Sequence, residues 1–507
     1  MGNQRGWLFG LAAAATLLAG CGDRSDDPPT EASAEQGYDV VLQGGRVIDP
    51  ETGLDAIRHV GIRDGRLTAV SETPLAGAEV INVSGQVVAP GFIDLHSHTP
   101  TPLGQRYQAL DGVTTALELE AGAYPVAALE RFVDGRPAIN FGASVSHLAA
   151  RLLVKQGIEK PHLLSGIDFV AARPTFTEPL TAAELESLRE HLARGLAGGG
   201  LGIGLLFDYL RTAVGPEELN VVFATAAEHQ APVFVHIRRE LPGDAAGLAE
   251  MIELARRHRA PLHVCHLNAN AMSNVAGFLA LITEARADGV DVTTEAYPWN
   301  AGSTSISAAV FSRDWQSIFG ITYEDVEWAE TGERFDEAMW NEYREKHPEG
   351  TVIHHYGREE WTREAITAPG VMIASDAMPI TEPGERVHPR GIGTFAKVLG
   401  EYTGEGQGSV PLAEAVARMT LLPAQRLEGV APAFARKGRL QVGADADVTV
   451  FDPETVGAAA TYREPLQPSR GITHVLVGGE FVVRDGEFRD DVAPGLLITS
   501  KVTSIAR

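Results

Sequence analysis

The sequence predicts an α/β protein: a (β/α)8 TIM-like barrel with a small β-sandwich domain built from the N- and C-terminal segments. Three observations support this. Through the middle of the chain, short apolar strands alternate with amphipathic helical stretches, as repeated strand–helix units do. Both ends are instead dense in short strands punctuated by Asp-Gly and Gly-Gly, which mark hairpin turns. Finally, 507 residues exceed what one hydrophobic core usually serves.

Residues 1–20 read as a signal peptide. Arg5 supplies the positive charge, and the apolar run 7–19 is too short for a comfortable membrane span. The run ends in Leu18-Ala19-Gly20-Cys21, which resembles a bacterial lipobox and implies cleavage before Cys21 and lipidation of it. Residues 21–37 are rich in Asp, Pro, Ser and Glu and read as a flexible tether. Gly22 follows the cysteine where an aspartate would signal inner-membrane retention. The expected location is therefore the bacterial cell envelope, lipid-anchored at the outer membrane and facing the periplasm. Cys265 is the one other cysteine, so no disulfide framework is expected.

Residues 38–90 contain strands around the turns Gly44-Gly45 and Asp64-Gly65, and residues 437–500 repeat this texture around Gly478-Gly479 and Asp485-Gly486. The two pieces are expected to pair into one sheet domain, since chain termini often lie close together. Residues 91–436 are expected to form the barrel, with candidate strands at 92–95, 114–120, 138–143, 202–206, 233–237, 262–267, 292–296 and 371–375. Helical spacing marks 182–197, 247–258 and 412–419. Residues 300–350, with Trp315, Trp328 and Trp340, break the alternation and read as an inserted lid or binding loop. Residues 351–354 form a ninth candidate strand, of the barrel or of the insertion. The formal net charge of -25 argues against nucleic acid as a partner. The oligomeric state stays open, a homo-oligomer included.

His96 and His98 close the first candidate barrel strand in Gly91-Phe92-Ile93-Asp94-Leu95-His96-Ser97-His98. Residues i and i+2 of a strand share a face, so both imidazoles can reach one metal ion. His236 closes the fifth run, His266 the sixth and Asp376 the last. In parallel barrels the C-terminal strand ends carry the active site. Polar groups ending apolar runs need partners, and five in strand order point to a shared metal site.

This order resembles the amidohydrolase superfamily and, more closely, its N-acyl-D-amino-acid deacylases (D-aminoacylases). The similar stretches include 91–98, Gly112-Val113-Thr114-Thr115, His236-Ile237-Arg238-Arg239-Glu240, Ser375-Asp376 and 388–395. Others are Arg418-Met419-Thr420 with Pro423-Ala424, and 438–448. The resemblance implies hydrolysis of the amide bond of small N-acyl-D-amino acids with one or two Zn2+ ions, held by His96, His98, His236, His266 and Asp376. That family places a cysteine ligand after strand two in a Gly-Asn-Cys-Gly stretch, whereas this chain has Leu119-Glu120-Ala121-Gly122. Glu118 and Glu120 share a strand face, and Glu120, nearer the C-terminal end, is the expected bridging ligand. Where a lysine often follows the strand-six histidine, Asn268 stands here.

Asp376 is the expected general base and acid. Arg390, a guanidinium fork, is the expected partner of the substrate carboxylate, and Tyr297, Ser303 and Tyr209 match family positions near the substrate. Two other readings are open from sequence: a dipeptidase or cyclic-amide hydrolase of the same superfamily, and a metal-free, non-catalytic binding protein.

Overall fold

The computed structural model describes residues 37–166, 172–404 and 409–500. The expected signal peptide, Cys21 and the expected tether up to residue 36 lie outside the described residues. Eight parallel strands follow one another around the barrel: β1 (Phe92–Asp94), β2 (Val113–Ala123), β3 (Asn140–Ser146), β4 (Ile203–Leu206), β5 (Val233–His236), β6 (Leu262–Val264), β7 (Val292–Ala296) and β8 (Met372–Ile373). Each hydrogen-bonds to its neighbour in sequence order. Between β8 and β1 the ladder shrinks to a parallel bridge of Ser97 with Ala377. The Asp94 carboxylate staples this gap, accepting from Ser375 N at 3.0 Å and Ser375 Oγ at 2.5 Å.

The strands are buried on both faces, as a helix-wrapped parallel sheet requires; every residue of β2 is buried. The helix Ala182–Ala197 matches its expected bounds. It opens on a capping box, Thr181 Oγ1 accepting from Glu184 N while Glu184 caps Thr181 N.

The terminal segments form one sheet of nine strands. Its seam is antiparallel pairing of Val87–Pro90 with Val448–Phe451. Residues near 445 bond on one side to Leu67 and Gly65 and on the other to Gly479. The expected sandwich is thus a single sheet folded over a core that includes Val60, Ile62, Leu67, Val448 and Leu476. Asp64 and Gly65 have φ of 49° and 69°, the left-handed pair that a type I′ hairpin needs. The chain's last described residues, expected inside this domain, return to the barrel: Leu497 bridges Phe141 of β3, and Ser500 N donates to Gly199 O.

The ninth candidate strand belongs to the insertion. Gly302–Ser305, Val326–Trp328 and Thr351–His354 make a three-stranded antiparallel sheet. Beside it packs an aromatic cluster of Phe311, Trp315, Trp328, Phe335 and Trp340. Arg313 ties the insertion to the barrel, reaching Asp208 Oδ2 at 2.7 Å and Arg239 O at 2.8 Å.

Candidate metal centre and cavity

Every metal-ligand candidate sits at or just past the C-terminal end of a barrel strand: His96 and His98 after β1, Glu120 in β2, His236 ending β5, His266 after β6, Asp376 after β8. Their donor atoms converge in two groups. His96, His98 and Asp376 form one; Glu120, His236 and His266 form the other, and in each the donors lie within 4.8 Å of one another. Glu120 joins the groups. Its Oε1 is 2.7 Å from His266 Nε2 and 3.0 Å from His236 Nδ1. Its Oε2 is 3.3 Å from His96 Nε2 and 3.6 Å from His98 Nε2. Local backbone brings Glu120 there. Gly122 turns at φ 68°, and a Cβ on it would lie 2.7 Å from Ser146 N, so the strand end can hug β3 only with glycine.

Outer carboxylates fix the ring orientations. His96 Nδ1 is 2.7 Å from Glu295 Oε1, and His98 Nδ1 is 2.8 Å from Glu118 Oε1. Each carboxylate holds a second histidine at 2.8 Å, His263 for Glu295 and His162 for Glu118. With each Nδ1 beside a carboxylate, a proton placed there leaves the Nε2 atoms of His96 and His98, 3.1 Å apart, free to donate lone pairs to a metal ion. These two nitrogens and the oxygens of Glu120 and Asp376 converge on one point. This donor set fits a divalent cation, with the carboxylate–histidine–metal arrangement of zinc sites.

The electrostatics show how strongly the cluster favours positive charge: without a cation the carboxylates hold protons on the histidines, and a metal ion binding there takes the place of those protons. Burial opposes ionisation throughout the site. Even so, the charges of His96, His266 and His236 hold the Glu120 carboxyl well below the usual range. Burial would lower His98, but the Glu118 charge and the bond to Asp376 raise it to about 9. Asp376 is lowered against burial, chiefly by Arg390. His266 and Asp376 have φ of 36° and 53°, left-handed backbone that costs roughly 1–3 kcal/mol per residue and clusters at functional sites.

A cavity of about 820 Å³ opens on this centre, lined by His98, Glu120, His236, His266 and Asp376 together with insertion side chains such as Phe319 and Trp328. All four substrate candidates line it. The Tyr209 ring lies 5.0 Å from the His236 ring, with its hydroxyl 3.0 Å from Thr304 Oγ1. Tyr297 lies 5.0 Å below the Arg390 guanidinium. Ser303 Oγ donates to Val352 O at 3.1 Å within the insertion sheet. Arg390 lines the cavity as expected of a substrate-binding residue; its Nη2 donates to Asp376 Oδ1 at 2.8 Å, and its Nε has no hydrogen-bond partner among the described residues. Asn268 clamps the Tyr297 backbone, donating to its carbonyl at 3.0 Å.

Sequence reasoning passed over Glu295, His162 and His263. For Glu295 a signal existed: a carboxylate inside the β-branched strand Val292–Ala296, where burial in the barrel cannot leave it unpaired.

With fold and site in place, the comparisons with known proteins give the class. Residues 79–483 match the model of the amidohydrolase family, and the chain belongs to that family. Within it the chain groups with the D-aminoacylase-like members. It is 30% identical to D-aminoacylase of Alcaligenes xylosoxydans xylosoxydans, over 90% of this chain and 96% of that one. It is 31% identical to N-acyl-D-glutamate deacylase of the same organism, over 88% and 93%. Among solved structures, N-acyl-D-glutamate deacylase from Bordetella bronchiseptica, complexed with zinc and a phosphonate mimic of the tetrahedral intermediate, superposes with a TM-score of 0.75 at 28% identity, covering 91% of this chain and all of that one.

Proposed function

We propose that the protein is a metal-dependent N-acyl-D-amino-acid deacylase, cleaving the amide bond to release a carboxylate and a free D-amino acid. The observation that carries this is Glu120 set between two histidine groups at a cavity that Asp376 also lines. Support comes from the deacylase relatives, matched over nearly the whole chain, and from the zinc-bound deacylase structure. His96, His98 and Asp376 would hold one zinc ion, and Glu120, His236 and His266 a second, with Glu120 shared. Zinc, when bound, lowers the pKa of water and polarises the scissile carbonyl.

The remaining steps belong to the chain's own side chains. Asp376 is held ionised by Arg390, so its carboxylate can take a proton from the attacking water as the carbon–oxygen bond forms. It returns that proton to the amide nitrogen as the carbon–nitrogen bond breaks. Glu295 and Glu118 keep the His96 and His98 lone pairs aimed inward throughout. Insertion side chains such as Phe319 and Trp328 supply part of the cavity wall.

The test is metal content together with hydrolysis of N-acetyl amino acids in D and L pairs, using the soluble form that begins at Tyr38. One or two zinc ions per chain with turnover of D but not L substrates is the expected result. Metal without any such turnover would discard this substrate class.

The cell-envelope location rests on Arg5, the apolar run and the Leu18-Ala19-Gly20-Cys21 motif. Labelling with a clickable palmitate in a bacterial host should mark the full chain and spare Cys21→Ser. Equal labelling of both would remove the anchor.

A further inference from the structure

Building on the deacylase reading, we infer that Arg239 binds a second carboxylate of the substrate, one carried besides the α-carboxylate on the amino-acid side chain or on the acyl group. The favoured substrates are then dianionic N-acyl-D-amino acids. Arg239 follows β5 and lines the cavity, yet it is only 7% exposed. Among the described residues no carboxylate pairs with its guanidinium. Nη2 donates to the neutral Asn270 Oδ1 at 3.2 Å, and Nε has no hydrogen-bond partner.

The nearby carboxylates are engaged elsewhere. Asp208 accepts from the Arg239 backbone N–H, at 3.1 Å, and its ion pairs run to Arg211 and Arg313. Glu240, the next residue, pairs with Arg211. Glu120 lies between the two histidine groups of the centre, and Asp376 accepts from Arg390. What Arg239 has instead is rings, with Phe319 at 5.1 Å and Tyr356 at 5.6 Å. Stacking holds a guanidinium flat and offsets part of its desolvation. It supplies no counter-charge, and a buried cation is costly without one. Metal ions at the centre would strengthen the pull on an entering anion but cannot satisfy the guanidinium.

Position makes this a second site on the same substrate. Arg239 and Arg390 both face His354, and after burial they are the main causes that hold its pKa well below the ordinary range. Arg390, the expected partner of the α-carboxylate, lies 5.0 Å from Tyr297, which shares a buried cluster with Tyr356 and Phe319. On the other side, Asn270 accepts from Arg239 and sets its nitrogen 3.2 Å from His266 Nδ1. One side chain thus separates the cation from a metal-ligand histidine, within reach of another limb of a substrate whose amide lies at the centre. A neutral limb leaves Arg239 buried and unpaired; an acidic limb pairs it, so selectivity follows from the same cost.

The experiment compares wild-type holoenzyme with Arg239→Gln and Arg239→Lys, first matched by thermal melting and metal content. Two substrate pairs each differ by one charge: N-acetyl-D-glutamate against N-acetyl-D-glutamine, and N-succinyl-D-alanine against its succinamoyl counterpart. Wild type should favour the acidic member of one pair by about 10- to 100-fold in kcat/KM, mainly through KM. Arg239→Gln should bring that pair level, and Arg239→Lys should keep part of the preference. A response in the first pair places the carboxylate on the side chain, and in the second on the acyl group. Calorimetric titration with D-glutamate against D-glutamine, and with succinate against succinamate, reads the same preference without turnover. Wild type that hydrolyses none of the four substrates, but shows the preference in titration and loses it in Arg239→Gln, would sink the deacylase reading alone. No preference for either acidic member in wild type, or a preference undiminished in Arg239→Gln, overturns the inference.

Discussion

Glu120 Oε1 lies 2.7 Å from His266 Nε2 while its other oxygen lies 3.3 Å from His96 Nε2, so one carboxylate spans both halves of the centre. Replacing it with alanine should remove metal from both, because each half loses a donor and the two halves lose their link. Elemental analysis of purified Glu120→Ala should show a drop towards zero, and activity should fall by more than about 100-fold, beyond the cost of losing an outer partner. Full metal occupancy in this variant would show that Glu120 is not a ligand.

Glu295 acts one layer out. It orients His96 and His263 through its two oxygens and accepts the His266 amide N–H at 3.1 Å. Glu295→Gln keeps the shape but can no longer favour a proton on His96 Nδ1. Zinc affinity, measured by competition with a chelator, should weaken by about 10- to 100-fold, with the fold retained.

Arg390→Gln removes the guanidinium that donates to Asp376 Oδ1. Since the loss falls on the proton-transfer group and on the expected partner of the substrate carboxylate, turnover of carboxylate and carboxamide substrates should drop about 10-fold or more, and further on the carboxylates. A drop on carboxylates alone would confine Arg390 to substrate binding.

Asp111 supplies a pH test outside the metal centre. It accepts from Phe395 N, Ala396 N and Ser469 Oγ, and burial pushes it up to about 7 despite those bonds. The folded state therefore holds a proton that the unfolded state releases near pH 4. Stability from this group is fully present below about pH 4 and is lost as pH rises through about 7. Asp111→Asn has nothing to titrate. The melting temperature of wild type minus that of the variant should fall steadily across this window, and a flat difference would contradict the assignment.

The barrel was legible because its strands are short apolar runs closed by turn residues, and the four histidines and Asp376 because each ends such a run. Ring orientation was not. Glu295 and His263 reach the centre through strand register, and a chain read in one dimension carries no register between β7 and β1. Arg390 was singled out for its chemistry, but its pairing with Asp376 depends on where the helix Arg390–Tyr402 starts relative to β8. The last strand shows a similar limit: residues 371–375 read as extended, but only Met372 and Ile373 pair, with Glu295 and Ala296.

The seam between Val87–Pro90 and Val448–Phe451 has a consequence for how the molecule is made. The first strands leave the ribosome long before their partners; Leu440 N reaches Asp49 Oδ1 across 391 residues. Until the last part of the chain emerges, an apolar strand edge stands open, the kind of edge that recruits other chains. Synthesis and folding are thus coupled as with a clasp that only the final segment can fasten, and early release of the chain would leave a barrel with an adhesive flank.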